Sequence, residues 1–381
     1  MDRTELLKGV RRLVVKVGSG VLSHGTFTID RAMIEILAVE ITALMEQRLQ
    51  VVLVSSGAIM AGMGKLGLVE RPQSIPLKQA VAAVGQGALI ATYDEAFHPR
   101  GRHVAQVLLT QEDTRDRARY LNARNTLFTL LELKVLPVIN ENDTVAVEEI
   151  KFGDNDTLSA LVASLVDADL LVILTDQDGL YTADPRSDPQ AQLIPLVEGE
   201  EGLRGFGAGP TRSVIGIGGM DSKVEAAQLA VSSGIPTIIA NGHAPHVLTC
   251  LMAGEPLGTL FVPRRSRMGG RKRWLAVASR PKGTIRVDEG AKRALILEGR
   301  SLLPSGVRGS ERPFGIGDVV ALVGPDGAEF GRGLANYSAD EVERIKGRRT
   351  GEIEKVLGYR HSDEVIHRDN LVVLNPRSER R

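Results

Sequence analysis

The chain has 381 residues, 43% of them hydrophobic and 25% charged, and its 47 Lys and Arg balance 47 Asp and Glu. That length buries a large core and makes more than one domain, in a composition ordinary for a soluble globular protein. The single cysteine, Cys250, excludes an internal disulfide and a multi-cysteine metal cage, and no apolar run approaches the roughly 18 residues of a membrane span.

The N-terminus "MDRTELLKGVRR" lacks an apolar signal core, so a cytoplasmic protein with no membrane association is expected. Short β-branched runs at 13–17, 51–54, 104–109, 135–139, 170–174 and 235–239 are predicted as strands. Between them, segments such as "DRAMIEILAVEITALMEQ" and "DSKVEAAQLAVSS" place apolar residues three and four apart, as helices do. The alternation predicts an α/β fold: a largely parallel sheet with helices on both faces and ligands beyond the carboxyl ends of the strands.

Small, polar and charged residues follow each of the first five runs, as "KVGSG", "SSGAIMAG", "TQED", "NEND" and "TDQDGLYTADPR". Any one of these is explained by a turn; five at one edge of one sheet point to a site. Gly18 and Gly20 after Lys16 let backbone amides approach an anion, and Ser55, Ser56 and Gly57 repeat the arrangement. In "GIGGMDSKVEAA" three glycines run into a helix with Lys223 in its first turn. A cation is unfavourable there unless an anion binds; the alternative is a flexible turn with a solvated lysine. Neither a P-loop nor a GxGxxG fits: five residues after Gly57 comes Gly62, but Met63 stands where the P-loop lysine belongs.

"TRDRARYLNARNTL" carries Arg115, Arg117, Arg119 and Arg124 and reads as a solvated or subunit-contacting helix, with a nucleic-acid surface as the alternative. The stretch from Val135 to Ala160 concentrates Glu141, Asp143, Glu148, Glu149, Asp154 and Asp156. It is not a calcium loop, since the sixth position from Asp154 is Ser159 rather than Gly. "NEND" ends a strand and "GDND" begins a helix, while Glu148 and Glu149 read as a solvated face. His24, His243 and His246 fall in predicted loops without metal-ligand spacing, so no metal site is expected.

The seam "PRRSRMGGRKRW" suits an exposed linker. It divides a body of net −9 (residues 1–262) from a region of net +9 (residues 263–381). Beyond about residue 280, "GTIRVD", "RALILEG", "GDVVALVGPDG" and "AEFGRGLANYS" read as short strands of a small β-barrel, with a helix at "SADEVERIKG". The positive charge suits RNA, but the only stacking candidates are Phe314, Phe330, Tyr337 and Tyr359 besides Trp274. Attraction to the acidic body is the other account of that charge.

The ordered set "KVGSG", "SSGAIMAG", "RYLNARNTL", "INENDTVA", "GDNDTLSA", "LTDQDGLYTADPR" and "GIGGMDSK" resembles the amino-acid kinase fold and, within it, the glutamate 5-kinases. The C-terminal "GDVV" and "GRGLANYSADEV" resemble a PUA domain. The resemblance implies an amino-acid kinase domain over 1–262, a basic linker over 263–280 and a PUA-like domain over 281–381. It implies ATP-dependent phosphorylation of the side-chain carboxylate of L-glutamate, the first step of proline biosynthesis. Lys16 and Lys223 would hold the transferring phosphoryl group, with Asp156 between them. Ser56, Asn140, Asp143, Asp154 and Asn155 would hold glutamate. Thr175 and Asp176, with Ile217, Gly218, Gly219, Met220, Asp221, Ser222 and Lys223, would bind ATP, and Mg²⁺ would bridge its phosphates. The family has Thr where this chain has Ile217 and another where it has Ser222, so backbone amides would replace one hydroxyl. A dimer or tetramer, feedback inhibition by proline, and glutamyl phosphate reductase as partner also follow from the resemblance, whereas RNA binding is not favoured. The competing class is an RNA-binding protein whose N-terminal domain is a scaffold.

Overall fold

β-branched and leucine-rich runs make the first sheet because both of its faces are covered. The computed structural model describes residues 3–23, 27–115, 117–145, 155–198, 219–263, 275 and 280–374. The chain divides into two units, Met1–Arg267 and Met268–Arg381.

The strands of the first unit are β1 (Arg12–Val17), β2 (Gln50–Ser55), β3 (Val104–Leu109), β4 (Leu136–Glu141), β5 (Leu170–Thr175), β6 (Leu196–Glu198), β7 (Thr237–Asn241) and β8 (Thr259–Val262). They form one sheet in the order β3-β4-β2-β1-β5-β7-β8-β6. Pairing is parallel from β3 through β7, so five of the carboxyl ends predicted to share an edge do share it. β8 returns antiparallel to β7, and β6 runs parallel to β8. Neither of these strands was among the six predicted: β8 has only four residues and β6 three. In register, Lys16 on β1 lies opposite Val54 on β2 and Ile173 on β5, one residue short of its strand end.

The helix Arg31–Glu46 begins where Asp30 accepts hydrogen bonds from the amides of Ala32 and Met33, at 2.9 and 3.1 Å. It covers one face of the sheet with Ile34, Leu37, Ala38 and Ile41, all fully buried. The helices Ala58–Leu66 and Ile75–Phe97 pack backbone to backbone. A Cβ added to Gly62 would lie 1.9 Å from the carbonyl oxygen of Val81, and one on Gly85 would lie 1.7 Å from that of Ala58. The first of these helices starts at Gly57, whose φ of 104° turns the chain out of β2 in a conformation that favours glycine. The close contact therefore fixes the 23-residue helix directly behind the β2 exit.

Residues 283–373 of the second unit contain β9 (Gly283–Val287), β10 (Val307–Glu311), β11 (Val319–Val323), β12 (Glu329–Leu334) and β13 (Leu371–Val373), in the order β10-β9-β11-β12-β13. The core holds Ile285, Val320, Leu322, Tyr337, Ile353 and Val365. "RALILEG" is not a strand. Its first five residues lie in the helix Glu289–Leu297, which Asp288 caps by accepting from the amide of Ala291 at 2.7 Å. Three of the four described stacking candidates are core residues: Phe314, Phe330 and Tyr337 are buried, and Tyr359 alone is exposed. Residues 280–374 hold 16 Lys and Arg against 15 Asp and Glu, so nearly all of the +9 belongs to the linker and the terminal tail.

Alanine is favoured over glycine in an exposed helix by about 1 kcal/mol, so Gly85→Ala would stabilise a helix with free space around it. Against the Ala58 carbonyl the sign reverses, and a loss of about 1–3 kcal/mol or more is expected in denaturant unfolding. A higher unfolding midpoint in this variant would rule out the helix contact.

Candidate active site

At the carboxyl edge of the sheet, three elements bring charged side chains to one point. β1 supplies Lys16, the first turn of the helix Asn155–Leu165 supplies Asp156, and the first turn of the helix Met220–Ser232 supplies Lys223. All three are buried, Asp156 completely. One carboxylate oxygen of Asp156 contacts Lys16 Nζ, and the other lies 3.1 Å from Lys223 Nζ and 2.9 Å from Ser222 Oγ. Lys223 Nζ also donates to the carbonyl of Gly219 at 3.3 Å. The three side chains together carry one net positive charge, beside a helix N-terminus and the loop of Gly18 to Gly20. Anions are stabilised by such a field.

A neutral group of side chains adjoins the triad. Asn155 Nδ2 donates to Asn140 Oδ1 at 2.9 Å and lies 3.2 Å from Ser56 Oγ. Asn140 Oδ1 also accepts from the backbone amide of Glu141 at 2.8 Å. Among the described residues, the buried atoms Asn140 Nδ2 and Asn155 Oδ1 have no hydrogen-bond partner. A buried donor and a buried acceptor left open side by side are costly unless a ligand satisfies them. A zwitterion presents the matching pair, a carboxylate for the donor and an ammonium for the acceptor. Asp143 follows β4 in a half-buried turn, where burial raises its carboxyl to about 6 against a hydrogen bond from Gln86 that lowers it. Such a carboxylate gains from an ammonium partner.

On the other side of β1, Thr175 ends β5 and donates to Asp176 Oδ1 at 3.0 Å. A Cβ on Gly20 would stand 3.5 Å from the Asp176 carboxylate, so the first glycine loop reaches this strand end. Gly219 caps the helix Met220–Ser232, and Met220, Asp221 and Ser222 form its first turn with Lys223. The structure thus groups Lys16, Asp156, Ser222 and Lys223 at one point, with Ser56, Asn140 and Asn155 at the next. Asp154, Ile217 and Gly218 lie outside the described residues, as do His24, Glu148 and Glu149. Arg124 is held internally, donating to the Leu165 carbonyl at 2.5 Å, pairing with Asp167 and lying over the Phe128 ring. Among the described residues no three His, Cys, Asp or Glu side chains converge as a metal cage requires. Nor, among them, is any helix long and apolar enough to cross a membrane.

Sequence reasoning missed Gln86 and Tyr93, and read Ser55 only as part of the second anion-approaching turn. Ser55 Oγ and Tyr93 Oη, both buried, are 2.8 Å apart, and Gln86 Nε2 donates to the Glu141 carbonyl at 3.2 Å. In the apolar "AVGQGALIATYDEAF" the only signal was two polar groups seven residues apart, on one helix face.

The profile of the amino acid kinase family matches residues 11–241, and that of the PUA domain matches 283–357. A glutamate 5-kinase of Geobacter sulfurreducens is 51% identical over 372 residues, covering 98% of this chain and 100% of its own. One of Pelobacter propionicus is 52% identical with the same coverage. A UMP kinase of Bacillus anthracis aligns over 67% of this chain and 97% of its own, at 16% identity and a TM-score of 0.46.

Asp143 binds its proton more tightly in the folded chain than the ordinary carboxylate value of 3.8, so its ionisation opposes folding as pH rises from about 4 to about 6. Asp143→Asn removes that term. In thermal unfolding of the ligand-free protein, the variant should gain on the parent between those pH values and hold a constant lead above them. A difference that does not change with pH would show that Asp143 is not desolvated.

Proposed function

The chain belongs to the amino acid kinase family, and from that premise we propose that it transfers the γ-phosphoryl group of ATP to the side-chain carboxylate of L-glutamate. The product is L-glutamyl 5-phosphate, and the step is the first of proline biosynthesis from glutamate. The observation that carries this reading is the buried Lys16–Asp156–Lys223 triad beside the open Asn140–Asn155 amide pair.

In the proposed reaction Lys16 and Lys223 hold the oxygens of the transferring group, and Asp156 keeps both ammonium groups aimed at it. Interactions of this kind act where charge develops, in a site from which water is excluded. The amide of Asn140 takes the α-carboxylate of glutamate, while Asn155 Oδ1 and Asp143 take its ammonium; Ser56 and Asp154 complete that side. Thr175 and Asp176 would take the nucleotide with Ile217, Gly218, Gly219, Met220, Asp221 and Ser222. The acceptor is a carboxylate with a reference pKa of about 4.3, so it is ionised at neutral pH and needs no general base. That accounts for the lack of a histidine in the described site.

Asp156 has its oxygens on the two lysines, so the described residues fit a metal brought in on the nucleotide rather than a resident one. Mg²⁺ would come in with ATP, and the chemistry it would supply is neutralisation of phosphate charge. Exposed Leu66, Val69, Ile75 and Leu77, around the joint of two helices, support the proposed homo-oligomer. Proline shares the α-carboxylate and the charged amine of glutamate, which supports inhibition at the same groups. An acyl phosphate hydrolyses readily, which supports a reductase that consumes it at once. A cytoplasmic location completes the proposal.

Hydroxylamine traps the acyl phosphate as a hydroxamate, and the trap should respond to glutamate but not to aspartate, N-acetylglutamate or UMP. Equal signals with N-acetylglutamate would refute the assignment of an ammonium site. Lys223→Ala should lower kcat by about 10²–10³ or more, as loss of one transition-state donor does. Near-parental turnover would remove Lys223 from the mechanism. Asp143→Ala should act on glutamate KM instead, and an unchanged KM would leave that residue a structural role.

A further inference from the structure

The helix Ile75–Phe97 lies behind the proposed amino-acid site and touches both of its sides with one face. Gln86 and Tyr93 are seven residues apart, two helical turns, and so point the same way. Gln86 is buried. Its Nε2 donates at 3.2 Å to the carbonyl of Glu141, two residues before Asp143, and a hydrogen bond from the same side chain lowers the Asp143 carboxyl against the effect of burial. Its Oε1 accepts from Gln106 Nε2 at 3.2 Å, which fixes which end of the amide faces Asp143. Two turns on, the fully buried Tyr93 hydroxyl meets Ser55 Oγ at 2.8 Å, and Ser55 Oγ lies 2.9 Å from the carbonyl of Ser56. Between them, Gly85 brings the helix against the backbone at Ala58, two residues beyond Ser56.

We propose that Gln86 and Tyr93 are positioning residues for the amino-acid substrate: Gln86 orients the Asp143 carboxylate and Tyr93, through Ser55, sets the backbone of Ser56. The inference rests on the reading that Asp143 and Ser56 hold glutamate. Neither residue reaches the phosphoryl-transfer triad through any contact described above, so the helix acts on one substrate and not on the other. Gln86 is the stronger of the two, because it holds a charged group, whereas Ser55 keeps its contact with the Ser56 carbonyl when Tyr93 is altered.

Steady-state kinetics on the full chain separate this role from general support of the fold. Gln86→Met keeps side-chain length and volume and removes both donors. It should raise glutamate KM roughly tenfold or more, the loss expected for a hydrogen bond to a charged group, with ATP KM within about twofold and the change in KM rather than kcat. Gln106→Ala, at an exposed residue of β3, releases the Gln86 amide and should raise glutamate KM about threefold; Tyr93→Phe should do the same. If Gln86→Met does not fold, these two variants decide the question. Equal rises in glutamate and ATP KM, or a glutamate KM within about twofold in all variants that fold, would overturn the proposal while Asp143→Ala still raises it. An unchanged glutamate KM in Asp143→Ala would instead overturn the underlying site, and the positioning role with it.

Discussion

A single buried carboxylate, Asp156, holds two buried ammonium groups that reach it from different elements. Removing three charges from water costs several kcal/mol per ion, and a buried ion pair often contributes less to stability than apolar residues of the same volume. Stability alone therefore does not explain the triad. What the arrangement secures is geometry: β1, the helix Asn155–Leu165 and the helix Met220–Ser232 must keep their relative positions for the three groups to meet. The parallel register supplies one part, since it places Lys16 between β2 and β5 at the strand ends. Helix first turns supply the other two.

The amide pair depends on a different constraint, the contact between the helices Ala58–Leu66 and Ile75–Phe97. Two glycines, Gly62 and Gly85, let the backbones approach more closely than any side chain allows. That approach brings a long helix near enough for Gln86 and Tyr93 to reach two different strand ends. In the proposed site the chemistry of the amino-acid side is then set from behind, by residues with no predicted contact to a ligand. Donor and acceptor atoms of Asn140 and Asn155 are left open because their other halves are bonded to each other and to Glu141.

Much of the first unit was legible because buried parallel strands are continuous apolar runs, and six of its eight strands stand out that way. β8 and β6 did not, being four and three residues long. The helix Glu289–Leu297 was misread because its apolar residues do not report burial: Ile296 and Leu297 are exposed and only Leu295 is buried. β10, with the sequence "VRGSE", carries no apolar pattern at all. Lys16 and Lys223 could be singled out from glycines and a helix start, which are local signals, whereas the place of Asp156 between them came from the family resemblance. Gln86 and Tyr93 could not, because what gives them meaning lies 55 and 38 residues away in the chain.

The distribution of charge across the site matches what a carboxylate acceptor demands. Glutamate approaches the γ-phosphate as one anion approaching another, so the site has to supply positive charge at the junction and nowhere else. In the proposed site Lys16 and Lys223 stand there, and Asp156 tempers their sum to +1. In the proposed site the α-carboxylate of the substrate meets a neutral amide rather than a third cation, which leaves the field directed at the transferring group. The proposed partner of the ammonium is Asp143, whose ionisation burial disfavours until a cation arrives. On this proposal, binding of the correct amino acid completes the charge of its own pocket, and an analogue without the free ammonium leaves the half-buried Asp143 without a cation. The cost of that unpaired group is the physical basis for selection between zwitterionic and N-blocked substrates.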